Sequence, residues 1–147
     1  MSKKVVDPRF AKNKDYGKIL EAIQKEGKCP FCPENFKYQK KPILKQAGNW
    51  LITYNSWPYK NSEHHFIIVC KAHKENFGGL NVSDFSDVAK LVRWAIKKYR
   101  IKGGGLMLRF GDTNYTGSTV CHLHFHLIVP KINKKTKRAK AVWFPIG

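Results

Sequence analysis

The chain has 147 residues, with 28 Lys or Arg against 10 Asp or Glu, which gives a formal net charge of +18 at pH 7. Hydrophobic residues make up 42% of the chain and aromatic residues 13%. This content indicates a folded domain and excludes an intrinsically disordered one. No apolar run approaches the length of about 18 residues that a membrane span requires, and no apolar stretch follows the basic residues near Met1 as in a secretory signal.

The excess of positive charge favours partners rich in phosphate, from nucleotides to nucleic acid. General solubility, or an adaptation of the whole proteome of the source organism, explains the same charge equally well. The four cysteines are too few and too scattered for a disulfide framework in a chain of this length. We therefore expect a protein of the reducing cytoplasm.

In chain order, the first predicted element is a helix over residues 15–27. Asp15 is its expected N-cap and Gly27 its expected C-cap, and its apolar residues recur at helical spacing. The stretch "CPFCPENF" follows as a tight knuckle. A strand is then predicted at Trp50–Tyr54, where turn residues and Pro58 end it, and "HHFIIVC" predicts a second strand around His65–Val69.

The second half begins with the longest helix, over residues 81–105, for which Ser83 is the expected cap and Gly103–Gly105 the expected end. "LMLRF" predicts a third strand, "GDTNYTGST" a polar loop, and "CHLHFHLIVP" a strand of histidines. The segment "KINKKTKRAK", residues 131–140, carries six basic residues and predicts a surface loop. The terminal "AVWFPIG" is expected to add an edge strand.

These elements predict an α+β fold with an antiparallel sheet of about five strands and two main helices. We expect a single domain over residues 1–147, with an N-terminal helical extension at 1–28 and the basic segment at 131–140. No internal repeat is visible in the sequence.

The histidine strand alternates imidazoles with apolar side chains. Because successive side chains of a strand point to opposite faces, His122, His124 and His126 are expected on one face. Leu123, Phe125 and Leu127 would line the other face, toward a core. Three neighbouring imidazoles indicate a metal site, a nucleophile with supporting groups, or both.

The C-x-x-C pair of Cys29 and Cys32 has the spacing of a zinc knuckle, although a redox pair or two buried cysteines fit the same pattern. If the strand ending near Val69 pairs antiparallel with the histidine strand, His73 and His122 come together. The predicted site is then a four-ligand structural zinc centre with no open position. Cys70 and Cys121 are rival ligands.

The order of these motifs resembles the histidine triad superfamily. The run His122-Leu123-His124-Phe125-His126 is similar to its signature, and "NSWPYKNSEHHFIIVCKAH" is similar to the segment that precedes it. The resemblance spans roughly residues 29–130. It favours His73 and His122 as zinc ligands beside "CPFC", as in the zinc-binding members, and it implies that the helix at 83–101 joins two subunits of a homodimer.

The resemblance implies covalent catalysis at the α-phosphate of a nucleoside phosphate. His124 would attack phosphorus and His126 would hydrogen-bond the phosphate or the leaving-group oxygen. The polar loop before the strand is expected to bind phosphate through Gly117, Ser118 and Thr119, although an ordinary polar loop fits it too. Many members have Gly-Gln where this chain has Gly117-Ser118.

Asn55 matches a family asparagine near the ribose or phosphate, and it also fits a simple turn-former. His65 is expected to support the active strand.

The sequence therefore predicts a nucleotidyl hydrolase or transferase acting on AMP conjugates or dinucleoside polyphosphates, with structural zinc. Removal of adenylate from nucleic-acid 5′ ends is an alternative that the charge favours. A nucleotide-binding or nucleic-acid-binding module without turnover is a third hypothesis, against which the intact triad argues.

Overall fold

The computed structural model describes residues 3–147, without the side chains of Lys37 and Tyr38. The helices are α1 (Lys14–Glu26), α2 (Val82–Tyr99) and the short α3 (Thr113–Thr116). The strands are β1 (Ile43–Ala47), β2 (Trp50–Tyr54), β3 (Ser62–Cys70), β4 (Gly105–Leu108) and β5 (His124–Pro130). Single turns of 3-10 helix lie at Pro8–Phe10 and Phe77–Gly79, and a longer one at Pro33–Tyr38.

The five strands form one antiparallel sheet in the order β1-β2-β3-β5-β4. This confirms the predicted α+β fold. The end of β3 lies beside the start of β5, with Val69 opposite His124 and Ile67 opposite His126. The antiparallel pairing on which the metal prediction depended is therefore present.

The main core lies between α2 and one face of the sheet. Alternate residues of the three central strands point into it, because side chains of a strand alternate between faces. From β5 these are Phe125 and Leu127, as the histidine strand predicted, and Leu123 joins them from just before the strand. Trp50 is fully buried in this core and donates its indole N–H to Asp84 of α2 at 2.8 Å.

The opposite face of the sheet carries Leu51, Ile67 and Val69, and the N-terminal third of the chain covers it. Phe31 packs against this group and also against the apolar cluster that Leu20 and Ile23 of α1 form. The face with the histidines is thus enclosed by residues that precede the sheet in the chain.

The first helix begins earlier than predicted. Its N-cap is Asn13, whose side chain accepts from the Tyr16 N–H at 2.8 Å, so the expectation that Asp15 caps it is wrong. An asparagine two residues upstream has the same capping chemistry, and Asp15 lies inside the first turn. Gly27 is the C-cap, with φ +67°, as expected.

The caps of α2 also differ from the prediction. Asn81 is the N-cap and forms a reciprocal capping box with Asp84, so Ser83 is not the cap. The helix ends at Tyr99, where Arg100 takes a left-handed conformation with φ +52°, several residues before Gly103–Gly105. Gly103 and Gly104 lie in the turn to β4, and Gly105 begins that strand.

Two elements were not predicted, and one predicted strand is absent. In β1 only Leu44 and Ala47 are partly buried apolar residues, which gives a weak strand pattern. The helix α3 is a single turn. Residues 141–147 form no strand in the described structure. Instead they pack through side chains, and Phe144 lies 5.1 Å from His126 between ring centroids.

The basic segment 131–140 is a surface loop, as predicted. Its ends are joined by a bridge between Ile132 and Ala139, and its Lys and Arg residues are all exposed. The four cysteines are free thiols. Within residues 3–147, no helix is long and apolar enough to cross a membrane.

Candidate active site and metal centre

A cavity of about 520 Å³ lies over the histidine face of the sheet. His124 and His126 form part of its floor, α1 contributes one wall, and the turn after β2 and the residues after the basic segment contribute others. A volume of this size is typical of sites that hold a small organic ligand. The predicted nucleophile therefore lines a cavity of suitable dimensions.

His124 is held in one tautomer by the backbone. Its Nδ1 lies 2.7 Å from the carbonyl oxygen of His122 and donates to it. Its Nε2 consequently carries the lone pair. Burial lowers the pKa of His124 to about 3, although the same hydrogen bond opposes the shift, so the ring is neutral near pH 7. A neutral imidazole with a free lone pair is a competent nucleophile.

His126 receives its tautomer from a relay of hydrogen bonds. The backbone N–H of Tyr59 donates to His65 Nδ1 at 3.1 Å, so the proton of a neutral His65 is on Nε2. That nitrogen lies 2.8 Å from His126 Nδ1 and donates to it. His126 Nε2 must then bear a proton, and this atom is buried without a hydrogen-bond partner among the described residues. It is a donor available to a ligand oxygen.

Asn55 lies at the same end of the cavity. Its Oδ1 accepts from the Trp57 N–H at 2.8 Å, which fixes the orientation of the amide. Its Nδ2 lies 3.2 Å from His65 Nε2, and both groups are donors in the tautomer just derived. In this tautomer His65 offers Asn55 no acceptor, and Asn55 lines the cavity beside His126.

The loop before β5 only partly matches the prediction. Gly117, with φ +64°, and Thr119 line the cavity, and Thr119 Oγ1 lies 3.0 Å from the hydroxyl of Tyr16. Ser118 is buried away from the cavity. Its hydroxyl donates to the carbonyl of Val120 at 3.2 Å, and its N–H donates to Thr116 Oγ1 at 3.1 Å. The structure therefore separates Ser118 from the other predicted phosphate-binding residues.

Behind this site, Cys29, Cys32, His73 and His122 come together, with their ligand atoms all within 4.8 Å of one another. Cys29 Sγ lies 3.3 Å from His122 Nδ1, and Cys32 Sγ lies 3.5 Å from His73 Nδ1. Tetrahedral zinc, with Zn–S of about 2.3 Å and Zn–N of about 2.0–2.1 Å, places sulfur and nitrogen ligands about 3.5 Å apart. The four donors therefore fit one zinc-sized ion.

Both imidazoles of this cluster are oriented by their second nitrogen. His122 Nε2 donates to the carbonyl of Cys70 at 2.5 Å, and His73 Nε2 donates to Glu75 at 2.8 Å. Such outer partners are typical of metal-ligating histidines, since they leave the Nδ1 lone pair for the ion. The rival ligand Cys70 contributes its backbone carbonyl here. Its thiol and that of Cys121 lie outside the cluster.

Burial and mutual repulsion shape the acid–base behaviour of the ligands. Burial, followed by the charge of Cys29, raises the pKa of the Cys32 thiol to about 12. Burial lowers the pKa of His122 to about 4, against the hydrogen bond to Cys70 that raises it. The imidazole is therefore neutral, whereas the thiols ionise only with a cation beside them.

Phe31 connects the metal cluster to the cavity. It lies between the two cysteines in the chain, and its ring packs edge-on against His122 at 6.1 Å and against His124 at 4.9 Å. The carbonyl that orients His124 also belongs to His122. The knuckle and the first histidine of the triad thus position the second histidine.

Several residues of the cavity were not predicted, among them Lys12, Tyr16, Tyr59 and Arg109. Tyr59 stands in the segment that resembles the family but was given no role, and Lys12, Tyr16 and Arg109 belong to no motif. The helical spacing of apolar residues included Tyr16, but it indicated a core position and not a place in the site. The sequence offered no signal for Lys12 or Arg109 beyond their charge.

No protein-family model and no curated protein matches the chain. Solved structures do match it. The histidine triad nucleotide-binding protein from Candida albicans aligns over 80% of this chain and 83% of its own, with TM-score 0.60 and 21% identity. A histidine triad protein from Clostridium difficile aligns over 73% and 94%, with TM-score 0.55 and 18% identity.

The Plasmodium falciparum diadenosine triphosphate hydrolase, solved in complex with cyclomarin A, aligns over 62% of this chain and 62% of its own, with TM-score 0.51 and 19% identity. At these identities the similarity establishes the fold. The chain therefore has the histidine triad fold, which the motif resemblance implied.

Proposed function

We propose that this protein is a nucleotidyl hydrolase or transferase that acts at the α-phosphate of a nucleoside phosphate derivative through a nucleotidyl-histidine intermediate. The observation that carries the proposal is His124, a buried neutral imidazole whose Nδ1–H is held by the His122 carbonyl and which faces a cavity of about 520 Å³. The names of the structural neighbours, which include a nucleotide-binding protein and a diadenosine triphosphate hydrolase, support nucleotides as the ligand class.

In the first step, the Nε2 lone pair of His124 forms a bond to the α-phosphorus, and the bond from phosphorus to the leaving group breaks. The electron pair of that bond goes to the leaving group. In the second step, a water, phosphate or other acceptor oxygen attacks the phosphorus and the N–P electron pair returns to Nε2; when the acceptor is water, its proton is released to solvent. Two displacements of moderate difficulty replace one difficult displacement. The hydrogen bond to His122 stabilises the positive charge that His124 acquires.

The neighbouring donors have complementary roles in this proposal. His126 Nε2–H, which has no hydrogen-bond partner among the described residues, donates to a phosphate oxygen, and the amide of Asn55, which also lines the cavity, donates to another. The Thr119 hydroxyl, which lines the cavity with Gly117, donates to an equatorial oxygen. Ser118 would join them only by exchanging its present bond to Val120.

We also propose that Cys29, Cys32, His73 and His122 hold one structural zinc ion. Their donor set, spacing and outer hydrogen bonds support it. Four protein ligands leave no position for water, so the ion would supply rigidity to the knuckle and to the start of β5, and no chemical step.

Removal of adenylate from nucleic-acid 5′ ends is the second candidate function. The exposure of the Lys and Arg residues in the basic segment favours it, because exposed charges are available to phosphates. The cytoplasmic location, the homodimer and the single domain remain predictions of the sequence.

The test is turnover of a small panel of AMP derivatives by wild type and by His124→Asn. We expect the variant to fold and to bind nucleotide, but to lose activity by about 10³-fold or more. An acid-labile nucleotidyl adduct should be trapped on wild type and absent from the variant. His64→Asn is the matched control, since His64 packs on Phe66 and lies outside the cavity. Near-normal turnover by His124→Asn would refute the mechanism.

A further inference from the structure

Two cations beside His126, Arg109 and Lys12, have no role in the proposed mechanism. Arg109 follows β4, and Lys12 precedes α1, yet both line the cavity. The Arg109 Nη1 donates to the carbonyl of Pro145 at 3.0 Å, while its buried Nε has no hydrogen-bond partner among the described residues. A buried, unpaired guanidinium N–H is costly unless a ligand satisfies it.

Each cation rests on an aromatic ring that contacts His126. The Lys12 ammonium lies 4.0 Å from the ring centre of Tyr59, and that ring stacks on His126 at 5.7 Å. The Arg109 guanidinium lies 4.9 Å from the ring centre of Phe144, which meets His126 edge-on at 5.1 Å. The two cations are thereby held close to the histidine that would face the leaving group.

Positive charge gathers in this region of the cavity. Among the described residues that line the cavity, none is an aspartate or a glutamate, and Lys60 adds a third cation. Burial and then Arg109 lower the pKa of Lys12, and both cations contribute to lowering the pKa of His126, after burial, His124 and His65. The positive potential of both side chains therefore reaches the same space, which favours an anion there.

We propose that Arg109 and Lys12 form an anion subsite for a phosphate on the leaving-group side of the α-phosphate, so that the enzyme selects substrates with a phosphate leaving group. This rests on the proposed function. When His124 Nε2 bonds to the α-phosphorus, the P–O bond to the next phosphate breaks and its electron pair stays on that oxygen. The leaving phosphate carries the charge away without needing a proton, and the two cations stabilise it.

An amine or ammonia leaving group would need a proton and would bring no anion to the two cations. The shared chemistry of the selected substrates is a phosphoanhydride to AMP. Two sources fit it: a free nucleoside polyphosphate, and an adenylated 5′-phosphate end of a nucleic acid. The substrate arms of the experiment separate these sources.

The experiment compares diadenosine triphosphate, an adenylated oligonucleotide and adenosine 5′-phosphoramidate, which share the AMP half. The measured quantity is the ratio of kcat/KM for each anhydride to kcat/KM for the phosphoramidate. We expect Arg109→Gln and Lys12→Gln each to lower this ratio by about tenfold, as loss of one charge-assisted hydrogen bond should. Arg93→Gln and Lys18→Gln, exposed positions outside the cavity, should leave it unchanged.

Because Arg109 also bonds the tail, Arg109→Lys provides a second variant that keeps the charge, and it should restore part of the ratio. Binding of inorganic pyrophosphate, measured by calorimetry, gives a readout without turnover and should weaken about tenfold in Arg109→Gln.

If wild type turns over none of the three substrates but binds pyrophosphate through Arg109 and Lys12, the proposed function fails and the anion subsite stands. If turnover occurs and both variants lower kcat/KM for all three substrates by the same factor, the subsite proposal is overturned. If the kcat/KM ratio falls only for the adenylated oligonucleotide, the phosphate comes from a nucleic-acid end. If the ratio falls only for diadenosine triphosphate, the phosphate comes from a free nucleoside polyphosphate.

Discussion

His65 lies 2.8 Å from His126, Nε2 to Nδ1, and this contact determines which nitrogen of His126 carries a proton toward the cavity. The Tyr59 N–H supplies the other half of the arrangement by occupying His65 Nδ1 at 3.1 Å. His65 is thus a positioning residue, one strand away from the predicted triad. The expectation that it supports the active strand agrees with this geometry.

The first prediction concerns this relay. His65→Leu should lower kcat by about tenfold, since the lost hydrogen bond of about 1–1.5 kcal/mol no longer fixes the tautomer of His126. His65→Gln should recover much of the loss, because its amide can donate to His126 and accept from Tyr59. Steady-state kinetics of both variants at pH 7 measures this. Equal losses in the two variants would mean that packing at this position, and not the hydrogen bond, is what matters.

The second prediction concerns metal. Elemental analysis of metal-replete protein should find about one zinc per chain. Cys29→Ser should lose the ion and lower Tm by about 10 °C, as a destabilisation of about 3 kcal/mol does in a chain of this size. Cys121→Ser, which changes a cysteine outside the cluster, should retain the ion. Zinc-free wild type with an unchanged Tm after chelation would contradict the prediction.

The third prediction concerns Asp7, a buried carboxylate. It accepts from Arg9 at 2.8 Å and from the Thr113 hydroxyl at 2.7 Å, and it pairs with Lys4. The hydrogen bond from Arg9 is the main cause that holds the pKa of Asp7 well below its usual range, against the effect of burial. Asp7→Asn should therefore lower the free energy of unfolding by about 2 kcal/mol at pH 7.

The pH dependence follows from the direction of the shift. A carboxylate with a lowered pKa in the folded state stabilises the protein above its unfolded pKa of about 3.9, and this stability is lost as pH falls below that value. The difference between wild type and Asp7→Asn should thus narrow from about pH 4 downward in urea unfolding. Glu21→Gln, an exposed site on α1, is the control. A difference that stays constant to pH 2.5 would show that Asp7 acts by packing.

The fourth prediction concerns the basic segment. Neutralising Lys134, Lys135, Lys137 and Arg138 should change kcat/KM for a small nucleotide only modestly, since exposed charges act over a Debye length of about 8 Å at physiological salt. The control neutralises four exposed cations on α2: Lys90, Arg93, Lys97 and Lys98.

The same variants should be titrated with an adenylated duplex at several salt concentrations. If nucleic acid is the substrate, loss of four phosphate contacts flattens the log–log salt slope by roughly 3–4 units in the segment variant alone. We expect no such change. Steep, segment-dependent binding without turnover of small nucleotides would make 5′-adenylate removal the better hypothesis.

Local chemistry was sufficient to predict much of the fold. The alternation from Leu123 to Leu127 predicted which side chains enter the core, because the period of a strand depends only on the chain itself. The bounds of β2 agree with the prediction at Trp50–Tyr54. The two predicted N-caps were each wrong by two residues, since Asn13 and Asp15, or Asn81 and Ser83, offer equivalent capping oxygens within one turn.

The sequence by itself predicted the shared face of His124 and His126, the C-x-x-C pair and, through one assumed strand pairing, the meeting of His73 with His122, whereas His122 lies before β5 and outside the cavity. Only the tertiary structure decided that Ser118 turns away, that His65 sets the tautomer of His126, and that Lys12 and Arg109 share one cavity. The physical reason is the separation along the chain between the residues that make contact. Spacing along a chain fixes neighbours within an element, whereas these contacts join segments that only the packing of the core brings together.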